Sequence, residues 1–294
     1  MKFKKILFVT PRYPFPVNGG DKLRITEIMK FLSKKNKVDL VSIGTKKQNI
    51  KFIKKQFLFN NNIFNKGFNI FRSLVKNEPL QIGLYKVTSM KKKINLICKN
   101  YDVIIFHLIR TSYYLPINFK GKKILEMTDL ISQNYKTVDK NLSIINPLKY
   151  LYRYERKKLI FYESHHSRKF NKVVLVNKKD VLNSHLKKNK NLTIIGNGTH
   201  FKENVYYKNK IKNNIIFFGN INSLANRSAC IDFINNYLPT LKKDYPMLEF
   251  KIFGNCSKLL KKIFKLKGVD IRTNVKNLQK YCKNTLAGIC NVKI

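Results

Sequence analysis

The chain has 294 residues, 44% of them apolar, which is enough to bury the core of one or two domains. Its longest apolar runs, such as Val103–Leu108, fall far short of the ~20 residues that cross a bilayer as a helix. With 60 Lys and Arg against 16 Asp and Glu the net charge is +44, a balance that attracts nucleic acid, an anionic membrane surface or an anionic substrate.

The chain opens MKFKKILFVTPRYPFP. A basic start and a short apolar run mimic a signal peptide, but Pro11 and Arg12 cut the run short and no small-residue cleavage site follows, so Lys5–Thr10 reads as a buried first strand. After Gly19-Gly20 the pattern turns helical over Asp21–Ser33. Further strands are expected at Val38–Gly44, Tyr101–Leu108, Lys122–Thr128, Lys172–Val176 and Leu192–Gly196. These runs are unbroken rather than alternating, so both faces of the sheet are covered, as in a parallel sheet flanked by helices.

Asn146–Phe170 is the longest expected helix, with Asn146 as N-cap and Pro147 at the first helical position. Leu148, Leu151, Tyr152, Leu159 and Tyr162 share one face, and Glu155 lies on it too. A carboxylate in an apolar stripe is either paired or functional, and the many nearby cations favour pairing.

After Gly198 the pattern resets. Phe201–Asn214 is polar and Lys-rich and reads as a linker. A second β/α series then follows: strand Ile215–Asn220, helix Asn226–Lys243 with Cys230, Phe233, Tyr237 and Leu241 on one face, strand Leu248–Gly254, helix Cys256–Leu266, strand Val269–Thr273, helix Asn277–Lys283 and strand Leu286–Val292. The fold class is therefore α/β throughout. No internal repeat of fixed short period is present.

Gly19-Gly20 stand between a strand and a helix. Such a pair either lets backbone N–H groups approach an anion at a helix N-terminus or is an ordinary strand-to-helix turn. It is not G-x-G-x-x-G, and no acidic residue ends a second strand to hold a ribose, which argues against a dinucleotide-dependent oxidoreductase or epimerase. His107 ends its strand, where α/β sheets usually meet ligands. Arg110 follows three residues on and suits a phosphate or carboxylate. Asp129 closes the Lys122–Thr128 strand on the same side, while His165-His166 look like surface residues. The sequence offers no Ser/His/Asp triad, no paired carboxylates and no Asp-x-Asp. Cys98, Cys230, Cys256, Cys282 and Cys290 are scattered, with no C-x-x-C, so no metal site is expected and the thiols read as reduced and mostly buried. The lysines are spread along the whole chain without zinc-finger spacing or an RNP-like motif, which argues against specific nucleic-acid recognition and leaves compositional drift or attraction to acidic lipid.

Three stretches stand in order: PRYPFPVNGGDKLRI, LTIIGNGTHF and NIIFFGNINSLANRSACIDFINNYLPTLKKDYPMLEFKIFGN. Together they resemble the GT-B glycosyltransferases of the large retaining group often called family 4 or group 1. The resemblance implies two Rossmann-like domains facing across a cleft: 1–200 on the acceptor side, a linker at 201–214, and 215–294 on the donor side. It implies transfer of a sugar, with retention, from a nucleotide sugar to a glycan or lipid-linked acceptor of cell-surface polysaccharide biosynthesis. The enzyme would work in the cytoplasm, peripherally on acidic lipid at the inner face of the membrane, with no cofactor besides the nucleotide-sugar substrate. By the same likeness His107 is catalytic, beside the transferring sugar, and Gly19, Gly20, Asn197, Gly198, Gly219, Asn220 and Arg227 bind the donor. Arg110 and Asp129 bind the acceptor. The pattern departs from the family in three places. Thr199-His200 replace the usual Val-Asp, Arg227 stands at a different spacing from the family's basic pair, and the Gly-rich loop with two glutamates eight positions apart is not found. The last acidic residue is Asp270 and the sequence closes AGICNVKI. The expectation is a second domain that is incomplete and lacks the main donor-binding element, with a non-catalytic GT-B remnant that binds an acceptor or partner as the alternative.

Overall fold

Residues 3–182, 184–198, 213–273, 275, 281 and 285–290 are described by a computed structural model. The chain divides into two units, Met1–Thr199 and His200–Ile294. His200 and the expected linker residues 201–212 lie outside the described residues, as does most of the expected helix at 277–283.

The first unit runs β1 (Lys5–Thr10), α1 (Gly20–Ser33), β2 (Lys37–Ile43), β3 (Lys55–Phe59), α2 (Ile63–Val75), α3 (Leu80–Gly83), α4 (Thr88–Ile97), β4 (Val103–His107), β5 (Lys122–Glu126), α5 (Ile131–Asn141), α6 (Pro147–Ser167), β6 (Lys172–Leu175), α7 (Lys178–Leu182) and β7 (Leu192–Ile194). Its seven strands are ordered β3-β2-β1-β4-β5-β6-β7 and all pair parallel. The unbroken apolar strands divide their residues between two cores. Leu7, Val9, Ile104 and Phe106 pack on one face, and Ile6, Phe8, Val103 and Ile105 on the other. Each fully buried Leu, Ile or Phe of this kind contributes about 1.5–3 kcal/mol.

The sequence reading names no element between Gly44 and Tyr101, where the structure has β3, α2, α3 and α4. β3 is an edge strand, KQFLF, with no fully buried residue, so it carries no apolar run to read. α6 begins as expected: the Asn146 side chain accepts from Leu148 N at 3.0 Å, and Pro147 occupies the first position. Its expected core face is half right. Leu159 and Tyr162 are buried, but Leu148 and Leu151 are 50% and 44% exposed.

The second unit runs β8 (Asn214–Phe218), α8 (Leu224–Asp232), a π-helical turn at Phe233–Tyr237, α9 (Leu238–Asp244), β9 (Glu249–Phe253), α10 (Lys258–Leu266), β10 (Asp270–Arg272) and β11 (Thr285–Gly288). Its described strands form a parallel sheet in the order β10-β9-β8-β11. The single helix expected over Asn226–Lys243 is broken by that π turn, just before Pro239 at the head of α9. Proline has no N–H to give and its ring crowds the preceding turn. The extra residue rotates the stripe, so Cys230 and Phe233 are buried whereas Tyr237 is 53% exposed.

Among the described cysteines Cys98 and Cys230 are buried, Cys256 is half-buried and Cys290 is exposed; Cys282 lies outside the described residues. Among the described residues no helix is long and apolar enough to cross a membrane.

Candidate functional site

In the first sheet β1 lies between β2 and β4, so the order of strands reverses there. The segments leaving the C-terminal ends of β1 and β4 diverge at such a switch point, the usual ligand position in open α/β sheets. Residues 11–19 follow β1, and His107 ends β4.

His107 is 3% exposed, which rules out a solvated loop histidine. Its Nδ1 lies 2.5 Å from Glu126 Oε2, at the end of the neighbouring β5. The other carboxylate oxygen, Oε1, accepts from Arg24 Nε of α1 at 2.6 Å. Arg24 also donates to the Ile195 carbonyl at 2.9 Å, the Gly196 carbonyl at 3.2 Å and Asn197 Oδ1 at 3.0 Å. One network, buried at His107 and Glu126 and open at residues 195–197, therefore joins α1, β4, β5 and the segment leaving β7. Burial alone pushes the Glu126 carboxyl up; the hydrogen bonds and charges of His107 and Arg24 outweigh it, and the net shift is down. An ionised Glu126 requires a proton on His107 Nδ1, which in the neutral ring leaves Nε2 as the lone-pair nitrogen.

The backbone beside His107 is strained. Leu108 has φ 64° and ψ 151°, a conformation that costs a non-glycine residue about 1–3 kcal/mol. It is held there by Leu108 N donating to the Glu126 carbonyl at 2.7 Å and by Thr111 Oγ1 donating to the His107 and Leu108 carbonyls.

Arg110 makes a second group. It donates twice to Gln81 Oε1, at 2.9 and 3.1 Å, and its guanidinium lies 5.0 Å from the Tyr85 ring centroid. It joins no ion pair among the described residues. Burial lowers its pKa, with the Tyr85, Arg12, Tyr135 and Asp129 charges as smaller influences, so Asp129 and Arg12 lie within its field. Glu155 supports this group indirectly. It is neither ion-paired to a nearby cation nor open to solvent: its oxygens accept from Leu80 N at 2.8 Å and Gln81 N at 3.2 Å, capping α3.

Asp129 does not close a strand. β5 ends at Glu126, and Asp129 Oδ2 accepts from Asn134 Nδ2 at 2.7 Å in the turn into α5. The carboxylate at the strand end is Glu126, which the sequence reading passed over, together with Arg24. The expected strand runs on to Thr128 and so hides Glu126 in its interior, and the cation that pairs with it stands 102 residues earlier.

Gly19 is extended, with φ −173°, and Gly20 begins α1 with open space where a Cβ would project. Neither conformation demands glycine, and a Cβ on Gly19 would lie 3.1 Å from Asp21 Oδ1. Gly198 likewise has open space around it. In the second unit Gly219 N donates to the Phe253 carbonyl at 3.0 Å, Asn220 Oδ1 accepts from Asn222 N at 3.1 Å, and the Asn220 carbonyl accepts from Asn226 Nδ2 at 3.1 Å. Arg227, early in α8, is half-exposed and joins no ion pair among the described residues.

No protein-family model and no curated protein matches the chain. Solved structures do. HepE of Anabaena, in complex with UDP and glucose, is 14% identical, with a TM-score of 0.57 over 97% of this chain and 73% of that one. TarM is 11% identical with a TM-score of 0.63, over 97% and 80%. An E. coli structure described as trehalose-6-phosphate, bound with UDP-2-fluoro glucose, is 10% identical with a TM-score of 0.54, over 96% and 77%. At these identities the likeness establishes the fold alone, and that fold is GT-B.

Proposed function

We propose that the chain is a glycosyltransferase that moves a sugar from a nucleotide sugar, with retention, to a polysaccharide or glycolipid precursor. One observation carries this reading: in a GT-B chain, His107 stands at the switch point of the first sheet with its Nδ1 held by Glu126, which Arg24 holds in turn. UDP in the HepE complex and in the E. coli structure supports a nucleotide-sugar donor.

The hard part of such a transfer is the departing diphosphate. Fixed backbone amides, a helix N-terminus and cations stabilise that charge as it develops. On this reading Gly19 and Gly20 admit the diphosphate to the start of α1, and Asn197, Gly198, Gly219, Asn220 and Arg227 serve the donor. His107 presents Nε2 to the transferring sugar, while Arg110 and Asp129 meet the acceptor. The two domains correspond to the units Met1–Thr199 and His200–Ile294. The protein works in the cytoplasm, held peripherally at the inner face of the membrane.

The test is ligand-observed NMR of the purified chain against a panel of nucleoside diphosphate sugars, beside a transfer assay. We expect donor binding and sugar transfer, with roughly a ten-fold loss of both in Gly20→Val. No binding by any donor, or equal binding by Gly20→Val, overturns the site. A non-catalytic binding protein is the second reading, favoured by the 3% exposure of His107, and it predicts acceptor binding with no turnover.

A further inference from the structure

An amphipathic helix on a folded protein turns its apolar stripe to the core. α2 does the reverse. Its inner side is small and polar: Ser73 is buried, Asn69 Nδ2 donates to the Lys86 carbonyl at 2.9 Å, and a Cβ on Gly83 would lie 2.5 Å from Ser73 Oγ. Facing out are Ile63, Phe64, Phe68, Phe71, Leu74 and Val75, between 46% and 82% exposed. At about 100° per residue these six fill one continuous arc of roughly 140°.

α6 carries a second outward stripe. Tyr150, Tyr154, Lys157, Lys158, Phe161 and His165 recur at helical spacing, with Tyr150 56% and Phe161 75% exposed. Between the end of α2 and this stripe lies a pocket of about 440 Å³, lined by Lys76 and Asn77 on one side and by Lys157, Lys158, His165 and His166 on the other. Lys158 Nζ and His166 Nδ1 are buried there with no hydrogen-bond partner among the described residues. The one carboxylate in the lining, Glu78, is paired with Lys86.

We propose that α2, the outward face of α6 and the pocket between them form the docking surface for a bilayer containing anionic phospholipid. α2 lies in the interface with its apolar arc among the acyl chains, and the pocket takes a headgroup phosphate. The two chemistries sit side by side, as in an amphiphile: a broad apolar arc, then a pocket lined by Lys76, Lys157 and Lys158, in which Lys158 Nζ has no hydrogen-bond partner among the described residues and lies 4.4 Å from the Tyr154 ring centroid. Tyrosine and lysine on α6 are residue types suited to the water–lipid boundary. The net charge of +44 supplies the long-range attraction to anionic lipid. The inference extends the peripheral-membrane part of the function proposed above and does not need the transfer chemistry.

The test uses the purified chain with no nucleotide sugar, floated with vesicles of phosphatidylcholine alone or mixed with phosphatidylglycerol. Wild type should bind the mixed vesicles about ten-fold or more better than the neutral ones. The triple variant Phe64→Ser, Phe68→Ser, Phe71→Ser, which leaves the charge unchanged, should lose roughly ten-fold. Lys157→Gln with Lys158→Gln should lose about three-fold or more, against less than about two-fold for the exposed control pair Lys46→Gln with Lys47→Gln. Because the chain has no tryptophan, Phe68→Trp gives a single reporter, which should shift blue and be quenched by brominated acyl chains. That measurement decides the matter if the triple variant does not fold. The proposal is overturned if wild type ignores anionic vesicles, if the triple variant binds like wild type, if the tryptophan is not quenched, or if α2 instead mediates self-association without vesicle binding.

Discussion

The two units are built on the same plan, a parallel sheet of apolar strands under helices, yet they finish the C-terminal edges of their strands in opposite ways. The first fills the edge with an Arg24–Glu126 ion pair and the imidazole of His107, all drawn out of water. The second brings two glycines together just past its strand ends. Gly254, at φ +149°, sits so close to Gly219 that an added Cβ would lie 1.9 Å from the Gly219 carbonyl oxygen, and hydrogen bonds from Gly219 to Phe253 and from Ile221 to Asn255 zip the two loops together. The ion pairs of the second unit among the described residues, Lys251–Glu249 and Arg272–Asp270, lie on its surface. One edge therefore depends on electrostatic pairing, and the other on the absence of a methyl group.

The contrast can be broken in order of expected effect. Glu126→Gln leaves Arg24 buried without its carboxylate and should cost the first unit about 3–5 kcal/mol, read as faster hydrogen exchange across β4 and β5 with β8 and β9 unchanged. The same residue makes the first unit sensitive to acid. Because the folded Glu126 carboxyl is held below its ordinary 4.5, its contribution is complete above that pH and is lost as pH falls through the lowered folded value. Acid unfolding monitored unit by unit should show this loss, and Glu126→Gln should abolish it. Gly254→Ala should cost the second unit about 2–4 kcal/mol, from strain and overpacking, with no acid dependence. Equal pH profiles for the two variants would erase the distinction. The smallest effect tests a feature outside both edges: Asn146→Ala removes the α6 cap and should cost about 1 kcal/mol in denaturant unfolding.

The central strands were legible because burial on both faces writes itself as unbroken apolar runs, and the Asn146-Pro147 start of α6 was legible because capping is local chemistry. β3 was not, since an edge strand of half-exposed residues has no run. The outward arc of α2 was hidden for a different reason: an apolar stripe in sequence does not say whether core or solvent lies beneath it. At the site, His107 could be picked out by its place at a strand end, but its partners could not. Glu126 reads as an interior residue of the expected Lys122–Thr128 strand, and Arg24 as one cation among many on a strongly basic chain. Only the return of the chain after 102 residues puts them together. Glu155 drew notice as a carboxylate in an apolar stripe, yet its partners are backbone amides of α3, which no side-chain pattern reveals.

The most direct test of the account follows His107 itself. The chain has only five histidines, so their imidazole carbon-bound protons form a small set of NMR signals, and His107→Gln assigns the one that matters. Titration with nucleoside diphosphate sugars should move the His107 signal while those of His165 and His166, on the far end of α6, stay in place. A His107 signal that does not move for any donor, or that moves no more than His165, would contradict a sugar-transfer site at the first sheet's switch point.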